Sequence, residues 1–139
     1  MGTRILGVDY GDTRTGIAVS DLSCFLASAV GTINDIRSNV VMDKIIEYAK
    51  QYDVAAIVLG DPINMNGTVG PRSEKARAFG KELSEKSGIP VIMYDERCST
   101  VVAHTVMNAT DTRGKKRKMT VDRLSAEIIL QDYLDSKKR

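Results

Sequence analysis

Three carboxylates stand where carboxylates are expensive. Asp9 closes the apolar run 5–8, Glu96 follows the apolar run 89–94, and Asp122 lies in the first turn of an apolar helical pattern near the end of the chain. A carboxylate at the end of a buried segment costs free energy unless it is paired or shares its charge with a cation. If the three segments converge, the acids repel one another, and either one stays protonated or a metal ion sits among them. Oxygen donors without His or Cys favour Mg²⁺ or Mn²⁺. Two such ions, about 3.5–4 Å apart, activate a water and stabilise the leaving oxygen of a phosphodiester in an in-line displacement. Taken singly, each acid reads equally well as a helix cap, a turn former or a surface charge. Their shared position beside apolar segments favours a common site.

Phosphate-seeking residues surround these acids. Net charge is only +2, yet residues 113–118 read R-G-K-K-R-K, and the last three residues are all basic. Lys115, Lys116, Arg117 and Lys118 stand just ahead of Asp122, where a basic flap would overhang the acids. The loop 60–71 is long for a strand-to-helix connection and reads as a lid or clamp. It carries Asn64, Asn66 and Gly67, and Gly67 and Gly70 let backbone N–H groups approach a phosphate. Arg72 follows at a helix start, a natural anion site. Arg14 and Arg97 can reach phosphate oxygens or pair with the acids. With two Phe, five Tyr and no Trp, little can stack on single-stranded bases, so recognition of backbone and shape with strong salt dependence is expected.

The elements that must position these groups are readable from hydrophobic rhythm. Runs 5–8, 16–19 and 25–33, split by Gly, Asp and Ser, suggest an antiparallel meander. Ser38 can cap a helix whose apolar positions Met42, Ile45, Ile46 and Ala49 follow helical spacing. The uninterrupted run 54–59 suits a parallel strand covered on both faces. A charged helix from about 72 to 86 ends at Gly88, 89–94 reads as a second buried strand, and Ser99 or Thr100 can cap a further helix. A basic loop follows, and Thr120 reads as the N-cap of a largely covered final helix. The order β-β-β-α-β-α-β-α-α predicts an α/β fold: a meander extended by two right-handed crossovers into one mixed five-stranded sheet with helices on its faces. Open sheets of this kind bind ligands at the carboxyl ends of their parallel strands, which puts Glu96 and Asp61 on the functional edge.

At 139 residues and 42% apolar content, a single domain spanning 1–139 with one real core is expected. No run approaches a membrane span and no signal peptide is recognisable, so a cytoplasmic location is expected. Cys24 and Cys98 lack zinc or redox spacing, and His104 alone builds no metal site.

The motifs V-D-Y-G-x-x-R-T-G-I-A-V-S-D, G-x-P-x-N-M-N-G with its later G-P-R-S, D-E-R-x-S-T and D-x-x-S-A-x-I-I-L-Q-D-Y-L together resemble the YqgF/RuvX family, in order and over nearly the whole chain. That resemblance implies a ribonuclease H-like fold shared with RuvC resolvases, and a nuclease that processes the 5′ end of pre-16S ribosomal RNA. Carried over, the catalytic, metal-binding acids become Asp9, Glu96 and Asp122. Asp61 departs from the family pattern, where a large apolar residue is expected. It can be a fourth metal ligand, an outer partner, or a turn former beside Pro62, the last being favoured. Ser125 stands where RuvC-like enzymes often carry a second acid, so a second ion would be held loosely, and Cys98 reads as a small core residue.

The expected partner is nucleic acid, pre-rRNA first and branched DNA second, with no membrane and with a monomer or weak homodimer as the assembly. Alternatives are a Holliday junction resolvase and a non-catalytic assembly factor that keeps the fold. The segment D-Y-G-D-T-R-T-G also resembles the phosphate loop of sugar kinases and Hsp70-like ATPases, but those clamp ATP between two such domains.

Overall fold

The computed structural model describes residues 4–64, 66–95 and 114–137, with side chains of the last helix described from Ser125 onward. An antiparallel meander comes first: β1 (Arg4–Asp9), β2 (Arg14–Ser20) and β3 (Ala27–Asn34). Then follow α1 (Ser38–Tyr52), β4 (Val54–Asp61), α2 (Pro71–Ser87), β5 (Val91–Asp95) and α3 (Gly114–Ser136). The strands form one five-stranded sheet in the order β3-β2-β1-β4-β5. β1 runs antiparallel to β2 and parallel to β4, which is parallel to β5. This is the mixed sheet that the element order predicts.

Alternation along the strands sorts side chains onto two faces. Leu6, Val8, Ile17, Val19, Ile33, Ile57 and Leu59 pack with Val41, Met42, Ile45 and Ala49 of α1 and Phe79 and Leu83 of α2. On the other face Ala18 and Val58, with Ile5 and Ile92 at the margin, pack against Ala126, Ile129, Leu130, Tyr133 and Leu134 of α3. Both faces of the central strands are covered, which is why 57–59 is apolar without alternation. β1 lets α3 approach closely at Gly7, where an added Cβ would stand 2.7 Å from Leu130 Cβ and 3.2 Å from the Ala126 carbonyl oxygen. Tyr94 meets α3 as well: its hydroxyl donates to Asp132 at 2.5 Å, and its ring meets Tyr133 edge-on.

Several boundaries differ from those expected. Ser38 is the first helical residue of α1, and Arg37 takes the cap position without a side-chain capping bond. Asp35 shapes the approach instead, accepting the Arg37 backbone N–H and pairing with its guanidinium. β3 starts at Ala27, because Phe25 and Leu26 belong to an ordered turn that leaves both exposed. In that turn the Asp21 carboxylate accepts the N–H groups of Phe25 and Leu26 and the Ser23 hydroxyl. Gln131 of α3 ties the turn down, donating to the Phe25 carbonyl and accepting the Ala27 N–H. Strand β5 is half-buried rather than buried, as suits the end of the described sheet. Gly88 does end α2, in the left-handed conformation at φ 73°. The helix expected after Ser99 or Thr100 lies outside the described residues. No described helix is long and apolar enough to cross a membrane.

Two outcomes follow. Gly7→Ala must push α3 off β1 and lowers unfolding free energy by about 1–3 kcal/mol in urea titrations with an unchanged m-value. The second concerns acid. The Phe25 N–H first, with Ser23 and the Leu26 N–H, holds the Asp21 carboxyl below its ordinary value, and the Arg37 guanidinium and N–H do the same for Asp35. A depressed carboxyl contributes stability that is present above its unfolded pKa and is lost as pH falls through the folded one. Asp21→Asn therefore flattens the stability profile on the acid side, below the ordinary carboxylate range, and leaves its shape near neutrality unchanged.

Candidate functional site

Three parallel strands end at one edge, and each ends on aspartate: Asp9 in β1, Asp61 in β4 and Asp95 in β5. Asp61 and Asp95 are direct partners across β4 and β5. Val8 pairs with Leu59, so Asp9 stands beside the last turn-ward residues of β4. Leu6 and Val8 face α1 and α2, so alternation puts Asp9 with Ile5 and Gly7 on the face covered by α3. Its antiparallel partner, Gly16, adds no side chain beside it.

The last helix carries the second expected acid. Asp122 belongs to α3 one turn ahead of Ala126, the residue whose carbonyl closes on Gly7. The basic run differs from expectation: α3 begins at Gly114, so Lys115, Lys116, Arg117 and Lys118 are helical rather than a loop, and Thr120 is inside the helix rather than its cap. Lys and Arg are good helix formers, and a run of charge does not by itself break a helix. The side chains of these residues and of Asp122 lie outside the described residues, as do Glu96 and Arg97.

Asp61 is resolved by its contacts. It is 3% exposed, its Oδ1 accepts the Ser73 hydroxyl, and its Oδ2 accepts Arg77 Nε at 2.8 Å. It is the last residue of β4 rather than a turn former, and both its oxygens are engaged by α2. Ser73 and Arg77 escaped the sequence reading. Their signal is four-residue spacing on one helix, visible only once a buried acid is known to face it.

The loop 62–70 is shaped from within. Asn64 accepts Gly67 N–H at its carbonyl, and Gly67 takes φ 89°. The Asn64 amide donates to the Thr68 hydroxyl, and Asn66 Oδ1 accepts both Thr68 N–H and Thr68 Oγ1. A Cβ at Gly70 would lie 2.9 Å from the Asn64 amide nitrogen, so a larger residue there would displace that side chain. The expected binding residues Asn64 and Asn66 thus spend side-chain polarity on the loop itself, while Gly67 and Arg72 are exposed. Arg14 is the first residue of β2, directly after the turn that follows β1. That turn is fastened to α2: Tyr10 stacks on Phe79 with centroids 4.0 Å apart, and Lys75 pairs with Asp12.

The donor chemistry at this edge suits a hard divalent cation. Among the described residues its acids are Asp9, Asp61 and Asp95, and it offers no His or Cys. Asp61 is already committed to Arg77. Among the described residues no three His, Cys, Asp or Glu side chains gather closely enough to hold a metal, so the set expected from the sequence depends on Glu96 and Asp122.

Comparison with known proteins adds an independent line. Residues 3–136 match the family described as RuvX: Holliday junction resolvase. A Bacillus thuringiensis protein named "Putative pre-16S rRNA nuclease" is 45% identical over 136 residues, covering 96% of this chain and 99% of that protein. A Bacillus cereus protein of the same name matches equally. Among solved structures, T. thermophilus RuvC in complex with a Holliday junction substrate superposes with TM-score 0.60 at 12% identity, over 98% of this chain and 96% of that one. The fowlpox virus resolvase bound to Holliday junction DNA gives TM-score 0.58 at 15% identity, covering 98% and 99%. The fold is therefore that of the RuvC-type, ribonuclease H-like resolvases.

The pairing at Asp61 has a measurable consequence. Arg77→Met leaves a buried carboxylate without its cation and destabilises the protein by about 1–3 kcal/mol. The triple change Asp61→Leu/Ser73→Ala/Arg77→Met, which leaves neither the carboxylate nor the buried hydroxyl behind, recovers most of that loss in chemical denaturation.

Proposed function

The chain belongs to the RuvX Holliday junction resolvase family, and from that premise we propose that it is a metal-dependent nuclease that hydrolyses phosphodiester bonds in structured nucleic acid, its substrate being the 5′ end of pre-16S rRNA. The observation that carries the substrate is 45% identity, over nearly the full length of both chains, to proteins named for that activity. The chemistry rests on Asp9, a half-buried acid at the carboxyl end of a parallel strand beneath the final helix.

In this reading Asp9, Glu96 and Asp122 hold Mg²⁺ or Mn²⁺. A divalent ion held there would supply charge neutralisation at the phosphate and a water of lowered pKa. The chain's own groups do the rest. The acids keep oxygen ligands at fixed positions on a rigid strand and a packed helix. Arg72, Arg14 and Arg97, with Gly67 in the loop and Lys115, Lys116, Arg117 and Lys118 on α3, draw the phosphate backbone to the edge and neutralise it. Basic residues that track a backbone without stacking platforms suit duplex or branched substrates read by shape.

A second reading, resolution of four-way DNA junctions, is favoured by the family description and by the fold shared with junction resolvases. One assay separates the two. Purified protein with Mg²⁺ or Mn²⁺ is given a precursor rRNA fragment and a four-way junction. Cleavage of the RNA near the mature 5′ end supports the first reading, and symmetric paired nicks in the junction alone overturn it. In the same assay Asp9→Asn lowers the cleavage rate by at least about 100-fold while nucleic-acid binding and folding persist. Full activity in that variant removes Asp9 from the site.

A further inference from the structure

Both carboxylate oxygens of Asp61 are engaged, and its partners are informative. A buried carboxylate at 3% exposure is destabilising unless both oxygens are satisfied. Here one oxygen takes the Ser73 hydroxyl and the other takes Arg77 Nε. Those residues are one helical turn apart, so a single carboxylate grips two successive turns of α2. Ser73 is fully buried, and it directly follows Arg72, which is exposed. Asp61 and Ser73 also bracket the loop 62–70, whose interior is already pinned by Asn64, Asn66 and Thr68. The grip therefore closes the base of a self-supporting loop. The α2 cap, Gly70, contributes its carbonyl to the Glu74 N–H but no side-chain bond.

We infer that Asp61 is a positioning residue for substrate binding: through Ser73 and Arg77 it fixes the first turns of α2, and thereby holds Arg72 and the loop 62–70 at the nucleic-acid edge. This rests on the proposed nuclease reading of that edge. It assigns Asp61 a role apart from metal ligation, since both its oxygens are turned to α2.

The sign of one substitution separates positioning from simple electrostatics. Asp61→Asn removes a negative charge near a phosphate-binding surface. If charge alone mattered, nucleic-acid affinity would rise. If Asp61 positions Arg72, affinity falls, because the Arg77 grip is released. The experiment is a binding titration at fixed salt, without divalent metal, using a structured RNA fragment and a four-way DNA junction as probes. Wild type, Asp61→Asn, Arg72→Ala and the double variant are compared, with folding checked by circular dichroism. The expected result is a roughly three- to ten-fold loss of affinity in Asp61→Asn, with Arg72→Ala costing much less in that background than in wild type.

Unchanged or tighter binding by folded Asp61→Asn, or additive losses in the cycle, overturns the inference. Should Asp61→Asn fail to fold, Ser73→Ala releases half of the grip with no change of charge. Weaker binding then supports the inference, and wild-type affinity overturns it. A wild-type protein that binds neither probe removes the nuclease reading and this inference together. Coupled binding without any metal-dependent cleavage removes only the nuclease reading.

Discussion

The approach of α3 to β1 at Gly7 is the constraint on which the architecture turns. β1 is the hinge of the sheet, antiparallel to β2 on one side and parallel to β4 on the other. A helix can lie across such a strand at close range only where a side chain is missing, and Gly7 provides that place beneath Ala126 and Leu130. One further consequence depends on it. Ala126, Ile129, Leu130, Tyr133 and Leu134 complete the second apolar layer. Asp122 stands one turn earlier on the same helix.

The polar groups at the strand ends show how charge is managed once that packing is in place. Asp61 is neutralised within the protein by Arg77 and satisfied by Ser73. Asp12 is matched by Lys75, which also lies over the Tyr10 ring. Both arrangements fasten α2 to the sheet edge, one at the end of β4 and one at the turn after β1. Stacking of Tyr10 on Phe79 adds an apolar contact at the same turn. The edge that is proposed to meet nucleic acid is therefore assembled on paired elements rather than on a loose loop.

Much of this was legible in the residue pattern, for identifiable reasons. Alternation through 5–8 and 16–19, and the unbroken run 54–59, report directly on one-sided and two-sided burial. The apolar content of 124–134 announced a covered helix, and Gly88 a left-handed helix end. What escaped depends on partners distant in sequence or on competing local forces. Asp61 reads as a turn former beside Pro62 until Ser73 and Arg77 are seen against it. Ser38 has the chemistry of a cap, yet Asp35 organises that corner through Arg37. The basic run read as a loop because its charge was weighed above its helix propensity. Phe25 and Leu26 read as strand because they are apolar, whereas Asp21 and Gln131 hold them in a turn. Of the candidate site, Asp9 and the strand-end edge followed from pattern alone. Glu96 and Asp122 followed from the same pattern, and the family resemblance selects the same three acids.

The order in which the chain is made gives the α3 contact a temporal meaning. Among the described residues, the face of the sheet bearing Ile5, Ala18, Val58 and Ile92 is covered by α3, the last helix to be made. During synthesis the meander and the α1/α2 layer can pair before that helix has left the ribosome. Until then one apolar surface of the sheet stays wet and open to wrong partners, and the long loop closure needed to cover it slows the last stage of folding. A chain stalled or cut before that helix would carry a nearly finished sheet with one side bare, a natural substrate for chaperones and proteases.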